Sequence, residues 1–316
     1  MNVRRRRISA AALATVAALG LCTLTACSSD SAAAGNTEKF DVVASFYPMA
    51  FLAEQIGGEH ANVTSLTEPG QEPHDLEISA KQTAQLQESD AALYLKGLQP
   101  TVDEAVGQSE IRTKIDASTL TSLEAHGSEP GGHEDEHGHE HEGGKDPHIW
   151  LDPVKYAEVA EGVGKAFEKA DPDHAADYRK NTATLVGKLN GLDKKFETGL
   201  ADRKTDVFIT THAAFGHLAE RYGLTEEAIS GLDPESEPSG ARVKELGDTA
   251  KADGVTTVFY ETLVSDKTAK TLAADAGLRT DVLDPVEGIT DASRGDDYFQ
   301  VMEANLTALQ TALGAA

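Results

Sequence analysis

Three histidines and one glutamate stand in loops where a divalent cation could be held. His74 lies in "TEPGQEPHDLEIS", His148 in "DPHIWLDP", His212 in "ITTHAAFGHLAERYG" and Glu287 in "VLDPVEGIT". Three imidazoles and one carboxylate make a tetrahedral donor set suited to Zn²⁺. Imidazole nitrogen suits zinc better than manganese, which favours more oxygen. A lone histidine is more often a cap or a packed side chain, and the pattern rests on four such positions together. Thiolates are excluded, because the two cysteines, Cys22 and Cys27, both stand in the first residues of the chain.

These four positions gain meaning from the elements before them. "FDVVASF" reads as a strand and "PMAFLAEQIGG" as a helix that Pro48 starts and Gly57 stops. "ANVTSLT", "SAKQTAQLQESD" and "AALYL" continue as strand, helix and strand. That order predicts a parallel sheet with helices on its faces. From Pro153 to about Leu200 the pattern is helical, broken at Asp171–Pro172. The second part, nearly 30 residues, would be about 40 Å long and able to join two lobes. The alternation then restarts, with strands in "DVFITT", "GLTEEAIS", "VTTVFYE" and "TDVLD". The expected fold is α/β: two lobes of parallel-type sheet flanked by helices and bridged by one long helix. The first lobe spans 40–172, the linking helix 173–202 and the second lobe 203–316. His74, His212 and Glu287 each follow a predicted strand, and His148 stands where structure resumes after a long loop. Ligands in such lobes bind beyond the carboxyl ends of the strands, in the crevice between them.

The remaining segments read as attachments to this body. Arg4 to Arg7 and the apolar run after them form a secretory leader over 1–26. It ends in "LTAC", which resembles a bacterial lipobox and makes Cys27 the expected lipidated residue; general secretion fits better than a twin-arginine route. Residues 27–39 are a flexible tether by composition. Residues 122–147 hold almost nothing apolar and predict a long mobile loop, in which His126, His133, His137, His139 and His141 form an accessory metal collector. His148 differs from them, because it adjoins the apolar "IWLDP". His217 is read as packing or support, and His60 and His174 as surface residues. The formal charge is −25, and removing the four leader arginines takes it to −29, which argues against a nucleic-acid partner.

"PGQEPHDLEIS", "DPHIWLDP", "THAAFGHLAERYG" and "LDPVEGITDASRGDDYFQVMEANLTAL" occur in order and cover nearly the whole chain after the leader. They resemble segments of the ZnuA/AdcA-type metal-binding lipoproteins that serve zinc and manganese ABC importers. The resemblance implies that His74, His148 and His212 are ligands and that the bridging helix is rigid. It leaves the fourth ligand between Glu287, Asp284 and water, with Glu287 matching the zinc members. It implies a non-enzymatic, monomeric receptor, lipid-anchored on the outer face of the membrane, that hands Zn²⁺ to an ABC permease. Two alternatives stay open: a manganese receptor of the same fold, and a zinc hydrolase with Glu287 as general base. The hydrolase lacks an H-E-x-x-H motif or a Ser-His-Asp arrangement. Nothing in the sequence positively suggests an adhesin.

Overall fold

The structure is a computed structural model that describes residues 39–126 and 145–315. The leader, Cys22, Cys27, most of the tether, and His133, His137, His139 and His141 lie outside the described residues. The first sheet is built from β1 (Phe40–Ala44), β2 (Ala61–Ser65), β3 (Ala91–Tyr94) and β4 (Thr113–Asp116), in the order β2-β1-β3-β4. The second uses β5 (Val207–Thr210), β6 (Thr225–Ala228), β7 (Thr257–Tyr260) and β8 (Arg279–Val282), in the order β6-β5-β7-β8. Every pairing in both sheets is parallel. The two sheets therefore repeat one topology, with the strand order reversing beside β1 in one and beside β5 in the other.

Burial follows position in the sheet. The inner strands β1, β3, β5 and β7 are nearly continuous apolar runs with most residues buried, as strands covered on both faces must be. The edge strands are more polar. β4 reads "TKID", and its charges conceal it from a search for apolar runs. It and the helix before it, α3 (Pro100–Gln108), are additions to the elements expected from sequence.

Helices α1 (Tyr47–Gly57) and α2 (Ala80–Glu88) belong to the first lobe. α2 is started by a capping box, in which Ser79 accepts from the Gln82 N–H and the Gln82 side chain accepts from the Ser79 N–H. α4 (Pro153–Ala170) starts at Pro153, with the Asp152 carboxylate accepting from the Val154 N–H. A short 3-10 turn at Pro172–His174 then precedes α5 (Ala175–Gly199), so the proline stands just before the long helix and not in its first turn. Twenty-five residues make α5 about 37 Å long. α6 (Gly216–Tyr222), α7 (Gly240–Ala252), α8 (Lys267–Ala276) and α9 (Tyr298–Leu313) complete the second lobe. Among the described residues no helix is long and apolar enough to cross a membrane.

α5 is tied at both ends. Asn181 donates to the Ile56 carbonyl at the end of α1, 3.0 Å away. Asp193 accepts two hydrogen bonds from Arg221 and one from Tyr222, both on α6. Gln310 of α9 donates to the Gly199 carbonyl. Gly164 lets α4 lie close to α5: a β-carbon there would come 2.3 Å from the Thr182 hydroxyl. One apolar cluster contains Phe46, Trp150 and Phe196 together with Phe208, Phe259 and Leu283, so it runs through both lobes without a break.

Candidate metal centre

Three of the four expected donors, His74, His212 and Glu287, are placed by the chain leaving the carboxyl end of a strand, and His148 by the turn that leads into α4. His74 follows β2 in a loop pinned by Glu72, whose carboxylate accepts from the N–H groups of His74 and Asp75. His148 precedes a 3-10 turn, Ile149–Leu151, that leads into α4. His212 comes two residues after β5. Glu287 comes five residues after β8, in a turn where Val286 has φ of +58°. A β-branched residue rarely adopts that left-handed conformation, so surrounding contacts must impose it. They are present: the Val286 N–H donates to Asp284 Oδ1 at 2.8 Å, and Trp150 Nε1 donates to the Pro285 carbonyl at 2.7 Å.

The structure brings His74, His148, His212 and Glu287 together, with one candidate ligand atom from each within 4.8 Å of all the others. Glu287 Oε1 lies 3.2 Å from His74 Nε2, 3.4 Å from His148 Nε2 and 3.7 Å from His212 Nε2. His148, His212 and Glu287 are buried, and His74 forms the lip. His148 Nε2, His212 Nε2 and Glu287 Oε2 are buried without a hydrogen-bond partner. A buried polar atom left so costs about 1–3 kcal/mol, which a cation among them would recover.

Two carboxylates stand behind the imidazoles. His148 Nδ1 donates to Asp146 Oδ1 at 2.7 Å, and His212 Nδ1 donates to Glu261 Oε1 at 2.8 Å. These bonds fix the ring orientation and turn each Nε2 toward the centre, as carboxylates behind metal-binding histidines do. Neither acid was expected from sequence. Asp146 had a trace of a signal in the "DPH" spacing; Glu261, at the end of β7, had none.

Burial works against charge on His148, but Asp146 and Glu287 outweigh it and push its pKa up to about 10. Burial also opposes charge on His212, and the Glu261 and Glu287 carboxylates raise its pKa all the same. Burial alone would lift Glu287, yet the His148 and His74 rings beside it hold it well below the ordinary carboxylate range.

The other expected residues stand apart from this group. Asp284 spends its carboxylate inside the turn, accepting from Val286 N–H and from the Thr262 hydroxyl at 3.0 Å. His126 corrects the loop expectation. It is not adrift: Nδ1 contacts Asp146 Oδ2 and Nε2 contacts Glu220 Oε2, each at 3.1 Å, and its ring meets His217 edge-on. Gly216 makes this possible, since a β-carbon there would come 2.4 Å from the His126 Cβ. His217 is buried, with Nε2 donating to the Asp146 carbonyl at 2.9 Å. His60 and His174 stack on each other at 4.1 Å, away from the cleft.

Two parallel α/β lobes joined by one long helix, with a donor cluster where both sheets end, define a class of metal-binding proteins. The family model for the zinc-uptake complex component A, periplasmic, matches residues 42–312, and the chain belongs to this family. Among its relatives is the zinc-binding lipoprotein AdcA of Streptococcus pneumoniae, 37% identical over 294 residues; the match spans 91% of this chain and 58% of AdcA. The high-affinity zinc uptake system protein ZnuA of Bacillus subtilis is 35% identical over 320 residues, spanning 93% of this chain and 97% of that protein. The Zn(II)-bound ZnuA-like domain of the pneumococcal AdcA superimposes with a TM-score of 0.72 at 34% identity, over 87% of this chain and 99% of that domain. The chain thus spans little more than half the length of the AdcA relatives that it matches.

Proposed function

We propose that this chain captures Zn²⁺ between its lobes, with His74, His148, His212 and Glu287 as ligands, and delivers it to the permease of an ABC importer. The observation that carries the reading is the convergence of buried, unpartnered His148 Nε2, His212 Nε2 and Glu287 Oε2 with His74 Nε2 at the lip. Three imidazoles favour zinc over manganese. The names of the relatives, zinc-binding lipoprotein and zinc uptake protein, support the same cargo and a role outside the cytoplasm. Four protein donors fill a tetrahedral shell, leaving no position for a reacting water, and so favour capture over hydrolysis. Lipid on Cys27 would keep the receptor at the outer membrane face.

Protein purified without added metal and titrated against a chelator, with zinc and manganese in competition, tests the cargo. One tightly held zinc per chain is expected, with manganese unable to displace it. His74→Ala, His148→Ala and His212→Ala should each weaken zinc by orders of magnitude; near-native affinity in all three would refute the ligand set. Cys27→Ser should move the protein from the membrane to the soluble fraction with zinc binding intact, and retention in the membrane would refute the anchor.

A further inference from the structure

The strand beside His212 carries an acid that the zinc site does not use. Glu226 lies on β6, an edge strand of the second sheet, where Phe208 of β5 is its partner. Its side chain reaches diagonally along β5 to the loop that begins there. Glu226 Oε1 lies 2.8 Å from the Thr210 hydroxyl. Both carboxyl oxygens face the Phe215 N–H, Oε2 at 3.0 Å and Oε1 at 3.2 Å. Thr210 Oγ1 also lies 2.9 Å from the His212 carbonyl. A hydroxyl has one hydrogen, so Thr210 cannot donate to both oxygens at once. With Glu226 ionised, one of these two contacts sets acceptor against acceptor. A proton on Glu226 Oε1 satisfies the whole chain: Glu226 donates to Thr210, Thr210 donates to the His212 carbonyl, and Oε2 accepts from Phe215. The surroundings favour the neutral acid as well. Burial pushes the carboxyl up to about 7 against the bonds from Thr210 and Phe215, with Asp146 adding to the rise and His212 opposing it. The wall of the adjoining cavity carries Glu124, Glu220, Glu227 and Glu245. Of its basic groups, Arg242 engages Glu227 at 2.7 Å and the Ala228 carbonyl, and His126 engages Asp146 and Glu220.

We propose that Glu226 is a positioning residue for His212, a role that rests on the zinc reading above: as a protonated acid it clamps the loop after β5 from the edge strand, through Thr210 and the Phe215 N–H. The support of His212 is thereby divided between two acids. Glu261 accepts from His212 Nδ1 and from the Thr211 hydroxyl, and so sets the ring. Glu226 holds the backbone on which that ring stands. A neutral clamp adds no further negative charge beside an imidazole that must give up its proton to bind zinc.

Zinc–chelator competition on the full chain tests the clamp. Glu226→Gln offers an amide N–H to Thr210 and a carbonyl to Phe215, the pattern of the protonated acid, and should rescue the affinity that other substitutions lose. Glu226→Leu removes both bonds and should weaken zinc by about tenfold or more. Thr210→Val keeps the β-branched shape but cuts the link to the His212 carbonyl, and should give a loss of the same order. Added to Glu226→Leu it should cost little more, because both act through one chain of bonds. Infrared difference spectra of wild type against Glu226→Gln at about pH 6 should show the stretch of a protonated carboxyl. Unchanged affinity in Glu226→Leu and Thr210→Val would overturn the positioning role. A Glu226→Gln protein as weak as Glu226→Leu, or no protonated carboxyl in the difference spectrum, would overturn the neutral clamp. His212→Ala separates the clamp from the zinc reading. If wild type holds zinc tightly and His212→Ala does not, that reading stands even where the Glu226 variants overturn the clamp; if wild type holds none, both fall.

Discussion

Asp146 is a buried carboxylate shared by histidines of different character, His148 in the cleft and His126 at the surface. Asp146→Asn leaves all four cleft donors in place but removes the negative charge behind His148. Zinc affinity should fall by about 10–100-fold with the stoichiometry of the tight site still one, and Glu261→Gln should do the same through His212. Chelator competition reads both, and unchanged affinity would show that the acids merely pack. Proton competition gives the sign of the pH effect. His148, with its pKa pushed up to about 10, and His212, also raised, hold protons that zinc must displace. Zinc affinity should therefore keep climbing between pH 6 and pH 8, where free imidazoles near pKa 6.5 would already level off. A plateau above pH 7 would contradict this. His74, His212 and Glu287 were singled out in the sequence because each follows a predicted strand, and His148 because it stands where structure resumes after the loop. Asp146 and Glu261 were not, since a carboxylate placed behind a ring leaves no periodicity, and Glu261 is 49 residues from His212.

Elements decide where Glu287 points. The turn after β8 combines a left-handed Val286 with two anchors, the Asp284 side chain and the Trp150 indole. No reading of sequence predicts a valine at positive φ, because the local preference opposes it and distant contacts overrule it. Trp150→Phe keeps an aromatic ring but removes the indole N–H, leaving the Pro285 carbonyl without its donor. A loss of about 1–3 kcal/mol is expected, seen as a Tm lower by several degrees, together with weaker zinc binding as Glu287 loses its aim. Loss of stability with affinity untouched would separate the turn from the site. The inner strands were legible as apolar runs. β4 was missed because an edge strand tolerates Lys114 and Asp116, and the start of α5 shifted because Pro172 was spent in a 3-10 turn.

At the scale of the whole molecule, the two lobes were legible from the restarted strand–helix alternation, but the apolar cluster that fuses them was not. Its members, from Phe46 to Leu283, are distant in sequence and meet only in the fold. This continuity, with α5 tied to α1, α6 and α9, opposes a wide hinge. Small-angle scattering curves of the zinc-free and zinc-loaded protein should superimpose, and a clear contraction on loading would show that the lobes swing. The four cleft donors also come from segments roughly seventy residues apart, so no short piece of the chain holds two of them. An ion bound there ties three long chain loops at one point in the folded state and must be released when the chain unfolds. Free zinc at a hundredfold over its dissociation constant would add about 2.7 kcal/mol of stability. Loaded and empty chains should then differ in lifetime against proteases: the cargo protects its carrier, and a carrier that has just delivered is the one most exposed to being degraded.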